Sequence, residues 1–175
     1  MQELKIYDEE GQERDWSWLA ATFGDVRVEQ AEISEGTTSV FRLVKLQEVT
    51  GPATQLASVV DAQGRPLEGI RVVRYWPDAP ELPDWPAPTS RWYPQGVFGP
   101  TNVNGDIGFG MGHGDYYYLP KPGVSAIWIA DQAGPSDLVG GLGMVGATSH
   151  RHLNVQFQLQ SSSPLPPSSP AAPQP

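Results

Sequence analysis

The chain has 175 residues, no cysteine, 19 glycines and 18 prolines, with a formal net charge of -9 and a pI near 4.6. The lack of cysteine excludes a disulfide scaffold, a thiolate nucleophile and a Cys-ligated zinc or iron–sulfur site. The acidity repels nucleic-acid phosphates and anionic bilayers, so neither nucleic acid nor a membrane is expected as a partner, and no apolar run reaches the roughly 18 residues of a membrane span.

Residues 4–8 (LKIYD) read as a short strand closed at Glu10-Gly11. A helix follows, with Asp15 as N-cap, residues 16–23 as body and Gly24 as C-cap. Trp16, Leu19, Ala20 and Phe23 fall at i, i+3, i+4 and i+7, a face expected to pin the helix to the core. Residues 26–31 and 40–49 read as strands. Residues 54–61 follow, then a turn through Gly64-Arg65-Pro66 and a returning strand over 69–76.

The pattern changes over residues 77–96, a proline-rich stretch with no period. A loop of this length inside a compact domain is uncommon and often functional. Residues 102–106 (NVNGD) form a turn before IGFGM. Residues 116–119 and 126–131 read as further strands, and 135–146 as a glycine-rich apolar loop. Leu153, Val155, Phe157 and Leu159 alternate along a closing strand. Short strands with a turn signal between each imply an all-β fold, an antiparallel β-sandwich (Ig-like or prealbumin-like) with one short N-terminal helix.

The sandwich is expected over residues 1–160, and residues 161–175 (SSSPLPPSSPAAPQP) as a disordered Pro/Ser-rich linker. A linker directly after a closing strand implies a covalently linked neighbouring domain. No basic-plus-apolar leader resembles a signal peptide.

Asp61, Gly64, Pro66, Gly69, Thr101, Gly105, and Gly114 with Tyr116 resemble the turn pattern of the prealbumin-like, carboxypeptidase-regulatory-like β-sandwich family. That pattern is a strand ending in Asp, a Gly-x-Pro turn, a Gly before alternating valines, a Thr-x-x-x-Gly turn and a Gly-x-Tyr strand. The resemblance covers about residues 57–119 and implies a fold rather than an activity. More loosely, the chain resembles accessory modules of bacterial cell-wall or polysaccharide hydrolases. This likeness implies an extracellular or cell-surface location.

Four segments hold residues with chemical potential. In the long loop and at its edges, Tyr75, Trp76, Trp85, Trp92 and Tyr93 are interleaved with Asp84 and Arg91. Exposed rings stack on the C–H faces of sugars, carboxylates and guanidinium groups bind hydroxyls, and prolines hold the platform stiff. His150 and His152 share a strand face and, with His113, are candidate metal ligands set against a plain hydrogen-bonded role. Residues 102–115 lack the ligand spacing of a calcium loop and read as tight turns. Ser136, Asp137 and His150 offer the residue types of a nucleophilic triad, but without a G-x-S-x-G elbow.

The expected function is a noncatalytic carbohydrate- or cell-wall-binding module of a larger enzyme, with polysaccharide or peptidoglycan as partner and no cofactor. The attached domain is expected to be a glycoside or cell-wall hydrolase. Two alternatives stand beside it: a structural or protein-interaction module (spacer, adhesin-like or viral surface domain) and a His-dependent metal enzyme.

Overall fold

The computed structural model describes residues 3–24, 26–52, 54–75, 98–110, 125–143 and 151–162. The chain order is β1 (Lys5–Tyr7), β2 (Glu13–Arg14), α1 (Trp16–Phe23), β3 (Arg27–Glu29), β4 (Ser39–Val49), β5 (Thr54–Val60), β6 (Arg71–Tyr75), β7 (Phe98–Pro100), β8 (Asp106–Gly110), β9 (Ser125–Ile129), β10 (Leu138–Leu142) and β11 (His152–Ser161). The strands form two sheets, β2-β1-β4-β11-β5-β8 and β3-β10-β9-β6-β7. The fold is all-β with one short helix, as the sequence implies.

The six-stranded sheet is mixed rather than purely antiparallel. β1 runs parallel to β4, and β5 parallel to β11. Parallel neighbours need long crossovers. Here α1 and β3 separate β1 from β4, and strands of the other sheet separate β5 from β11. β10 occupies part of the segment that reads as a glycine-rich loop. Its pairing with β9 shifts register between Val139 and Leu142, where Gly141 has φ 72°. A glycine-borne irregularity of this kind erases the period-two signal from which a strand is read. The expected strand at 116–119 lies outside the described residues.

One apolar cluster draws on both sheets and the helix. Phe41, Leu46, Val59, Val155 and Phe157 come from the six-stranded sheet, Val72, Ile127 and Val139 from the five-stranded sheet, and Leu19 and Phe23 from α1. Fully burying each large side chain stabilises the fold by about 1.5–3 kcal/mol. The Asp15 carboxylate accepts from Trp18 N at 2.8 Å, and Gly24 N donates to Ala20 O at 2.9 Å, so both helix ends are capped as the sequence implies. Trp16 and Ala20 depart from the expected buried face: both are exposed, Trp16 at 48%. The eight-residue helix spans about two turns and reaches the core through Leu19 and Phe23, one side chain per turn. Trp18 packs instead, edge-on to Phe23 at 6.1 Å.

The same five-residue turn recurs at Asp8, Asp61 and Asn102. In each, the N–H of the first residue donates to the carbonyl of the fifth (Asp8 to Gln12, Asp61 to Arg65, Asn102 to Asp106), at 3.0, 2.8 and 2.9 Å. The glycine at the fourth position (Gly11, Gly64, Gly105) has positive φ and donates back to the first carbonyl. The first side chain accepts from the fifth N–H, at 2.8, 2.9 and 3.1 Å. This Asx chemistry satisfies the turn's own donors without water. Gly105 has a further constraint, because a Cβ there would lie 2.6 Å from the Val59 carbonyl oxygen. Buried Thr101 ties the second and third turns together, its Oγ1 donating to Leu67 O at 2.5 Å and accepting from Ile70 N at 3.0 Å.

Two predictions follow from these turns. Gly105→Ala should cost about 1–3 kcal/mol in urea unfolding, and more than Gly64→Ala, where a Cβ meets nothing within 4 Å. Burial raises the Asp8 carboxyl, but the Gln12 N–H and Arg14 outweigh it and hold its pKa below the ordinary value of 3.8. At Asp61 the Arg65 N–H is the largest cause of a lowered pKa, acting against burial and together with the Arg65 guanidinium. A lowered folded pKa gives stability that is present above the unfolded value and lost as pH falls through the folded one. Asp61→Asn should therefore flatten the acid limb of stability against pH, read as the urea midpoint at a series of acidic pH values.

Candidate functional site

The site is built around Asp137, where the chain crosses between sheets. Residues 135–137 run beside β4, with Phe41 N donating to Pro135 O at 2.8 Å and Asp137 N donating to Phe41 O at 2.9 Å. The chain then continues as β10 in the other sheet. At the crossing, the Asp137 carboxylate takes over the donors that backbone pairing leaves behind. Leu43 N donates to Oδ2 at 2.9 Å, while Ala31 N and Arg42 Nη1 donate to Oδ1 at 2.8 and 2.6 Å. Arg42 Nη1 also donates to Ala31 O at 3.2 Å. Asp137 is buried, and its charge is matched by a guanidinium that is itself mostly covered.

Two hollows flank this junction. The larger, about 440 Å³, lies on the face of the five-stranded sheet away from the shared core and includes Trp128, Ala130, Leu138, Glu29 and Glu32 in its lining. Strand register explains the grouping. Glu29 pairs with Leu138, Leu138 with Trp128 and Trp128 with Val73, so these four form a row across four strands on one face. The floor is apolar and the rim carries two exposed carboxylates. The smaller hollow, about 270 Å³, is lined by Trp16, Val28, Arg42 and Gln160 among others. Gln30 lines both hollows.

Tyr75 ends β6 opposite Ala126. Trp76, Asp84, Trp85, Arg91, Trp92 and Tyr93 lie outside the described residues, as do His113 and His150. His152 stands in β11 opposite Val49, fully buried, with Nε2 3.1 Å from Thr54 O. Among the described residues no group of three or more His, Cys, Asp or Glu is arranged to hold a metal ion. Ser136 Oγ donates to Asp137 O at 2.6 Å and accepts from Ile129 N at 3.0 Å, so its proton is held by backbone. The Asp137 carboxylate faces Arg42 and two backbone donors.

The sequence reading missed Trp128, Glu29, Gln30 and Glu32. The signal for Trp128 was present, since in residues 126–131 (AIWIAD) it alternates with two isoleucines and must take the other face. Comparison with protein-family models, curated proteins and solved structures finds no match.

Asp137→Ala should lose about 3–5 kcal/mol, because it strands a nearly buried guanidinium. Adding Arg42→Met should recover part of that loss, and urea unfolding of the two single variants and the double variant measures the coupling.

Proposed function

We propose that the chain is a noncatalytic glycan-binding module on a prealbumin-like β-sandwich. It works outside the cell or at its surface, beside a linked glycoside or cell-wall hydrolase domain, with polysaccharide or peptidoglycan as partner. The observation that carries this reading is the hollow over Trp128 and Leu138 rimmed by Glu29, Gln30 and Glu32. Its volume of about 440 Å³ falls within the usual range for small-ligand sites. An apolar floor under carboxylate and carboxamide groups suits a sugar, which has an apolar ring face and a hydroxyl edge. The net charge of -9 disfavours densely anionic polymers such as nucleic acid.

Further support comes from topology. The strands that precede and follow the aromatic-rich stretch of sequence, β6 and β7, both belong to the sheet that bears this hollow. Ser136, Asp137 and His152 are all engaged in structural hydrogen bonds, which favours binding over catalysis at these positions. The sandwich assignment rests on the apolar cluster shared by the two sheets and on the turns at Asp61, Thr101 and Gly105. A tethered module of this kind raises the local concentration of its enzyme at an insoluble substrate.

Pull-down on insoluble chitin, cellulose and peptidoglycan tests the reading. Glu29→Gln combined with Glu32→Gln should weaken binding by about tenfold, the loss of a charge-assisted hydrogen bond. Trp85→Ala and Trp92→Ala should weaken it too, and unchanged binding would remove the aromatic loop from the site. Failure of the wild-type chain to bind any of the three polymers rejects the proposal.

A further inference from the structure

We infer that the hollow over Trp128 takes a sugar bearing a protonated amine, so that its polymer is a β-linked glucosamine chain freed of acetyl groups. This inference rests on the glycan-binding reading above and names the substrate class of that same site. The lining holds two carboxylates, Glu29 and Glu32, and no lysine, arginine or histidine. Both glutamates are exposed, and Glu32 has no ion-pair partner among the described residues. Arg27 Nε stands 4.0 Å from Glu29 Oε1, with both side chains in solvent. So loose a surface pair leaves the carboxylate available to a ligand. Arg42 touches the wall through Ala31 O, but its charge is matched by Asp137 at 2.6 Å. Arg71 is exposed on the same sheet face beside Ala130, three strands from Glu29 in the order β3-β10-β9-β6. At the usual strand spacing that is roughly 14 Å, beyond the Debye length of about 8 Å at physiological salt.

A carboxylate can only accept hydrogen bonds. A hydroxyl offers it one donor, and an acetamido group offers one N–H beside a carbonyl oxygen that the carboxylate repels. A protonated amine offers three donors and the opposite charge, and a charge-assisted hydrogen bond is roughly twice as strong as a neutral one. Shape agrees with charge. A β-linked glucosamine ring carries its substituents equatorially, so its C–H faces lie above and below the ring and its amine projects from the edge. With one face on the apolar floor of Trp128 and Leu138, the edge reaches the rim where Glu29, Gln30 and Glu32 stand. The Gln30 carboxamide both donates and accepts, which suits the neighbouring hydroxyls. At longer range the net charge of -9 draws a polycation toward the chain.

Isothermal titration of the full chain tests this with hexasaccharides of β-linked glucosamine, N-acetylglucosamine and glucose, at a mildly acidic pH where the amine is protonated. The glucosamine hexasaccharide should bind about tenfold more tightly than either neutral one. Added salt should narrow that preference. Glu29→Gln combined with Glu32→Gln keeps the side-chain shape and should erase it. Glu35→Gln, at an exposed carboxylate outside the lining, should leave it intact. A preference that survives the double variant, or that Glu35→Gln removes equally, overturns the assignment to the rim. If hexalysine binds as tightly as the glucosamine hexasaccharide, charge alone is read and the amino-sugar assignment is wrong. If a neutral hexasaccharide binds as well as the glucosamine one, glycan binding stands and the amine inference falls. If the wild-type chain binds none of the three hexasaccharides, both readings fall.

Discussion

Asp137 sits where one stretch of chain must serve two sheets. Residues 135–137 lengthen the edge of β4, and the next residues open β10 in the other sheet. A strand that changes sheets leaves backbone donors without partners, and a buried donor without a partner costs about 1–3 kcal/mol. The Asp137 carboxylate gathers two such donors, Leu43 N and Ala31 N, and takes Arg42 as its counter-charge. Through it β4, the tail of β3 and β10 are fixed relative to one another. Both hollows depend on that arrangement, since their walls are the residues on either side of the crossing.

Much of the fold was legible because its turns carry their own chemistry. Asp8, Asp61 and Asn102 each stand three residues before a glycine, and each closes the same hydrogen-bonded turn. The helix was legible for a similar reason, with a carboxylate at one end and a glycine at the other. β11 alternated cleanly along most of its length, and its core face is the expected one. What escaped was decided by tertiary context. β10 is hidden by glycines that accommodate its irregular pairing. The parallel pairings of β1 and β5 depend on which distant strand arrives beside them, which no local pattern encodes.

The site was less legible than the fold. Aromatic content drew the reading to residues 75–93, of which all but Tyr75 lie outside the described residues, and away from Trp128, which sits in an ordinary strand. Trp16 looked like a core residue because its spacing placed it with Leu19 and Phe23. The helical period assigns a face but does not say how far along the helix the core extends. Ser136 and Asp137 looked like reactive residues because of their types alone. Their partners are backbone amides and a guanidinium, which makes them joints of the frame.

The ends of the two sheets carry one more consequence. Among the described residues, the outermost strands are β2, β8, β3 and β7, of two, five, three and three residues. Such short margins offer little unpaired backbone on which a second molecule could template itself, and β7 ends in a proline that cannot donate. The long strands β4 and β11 are held in the interior of their sheet. Within the described residues, the sheet margins therefore give little backbone for strand-to-strand growth between molecules.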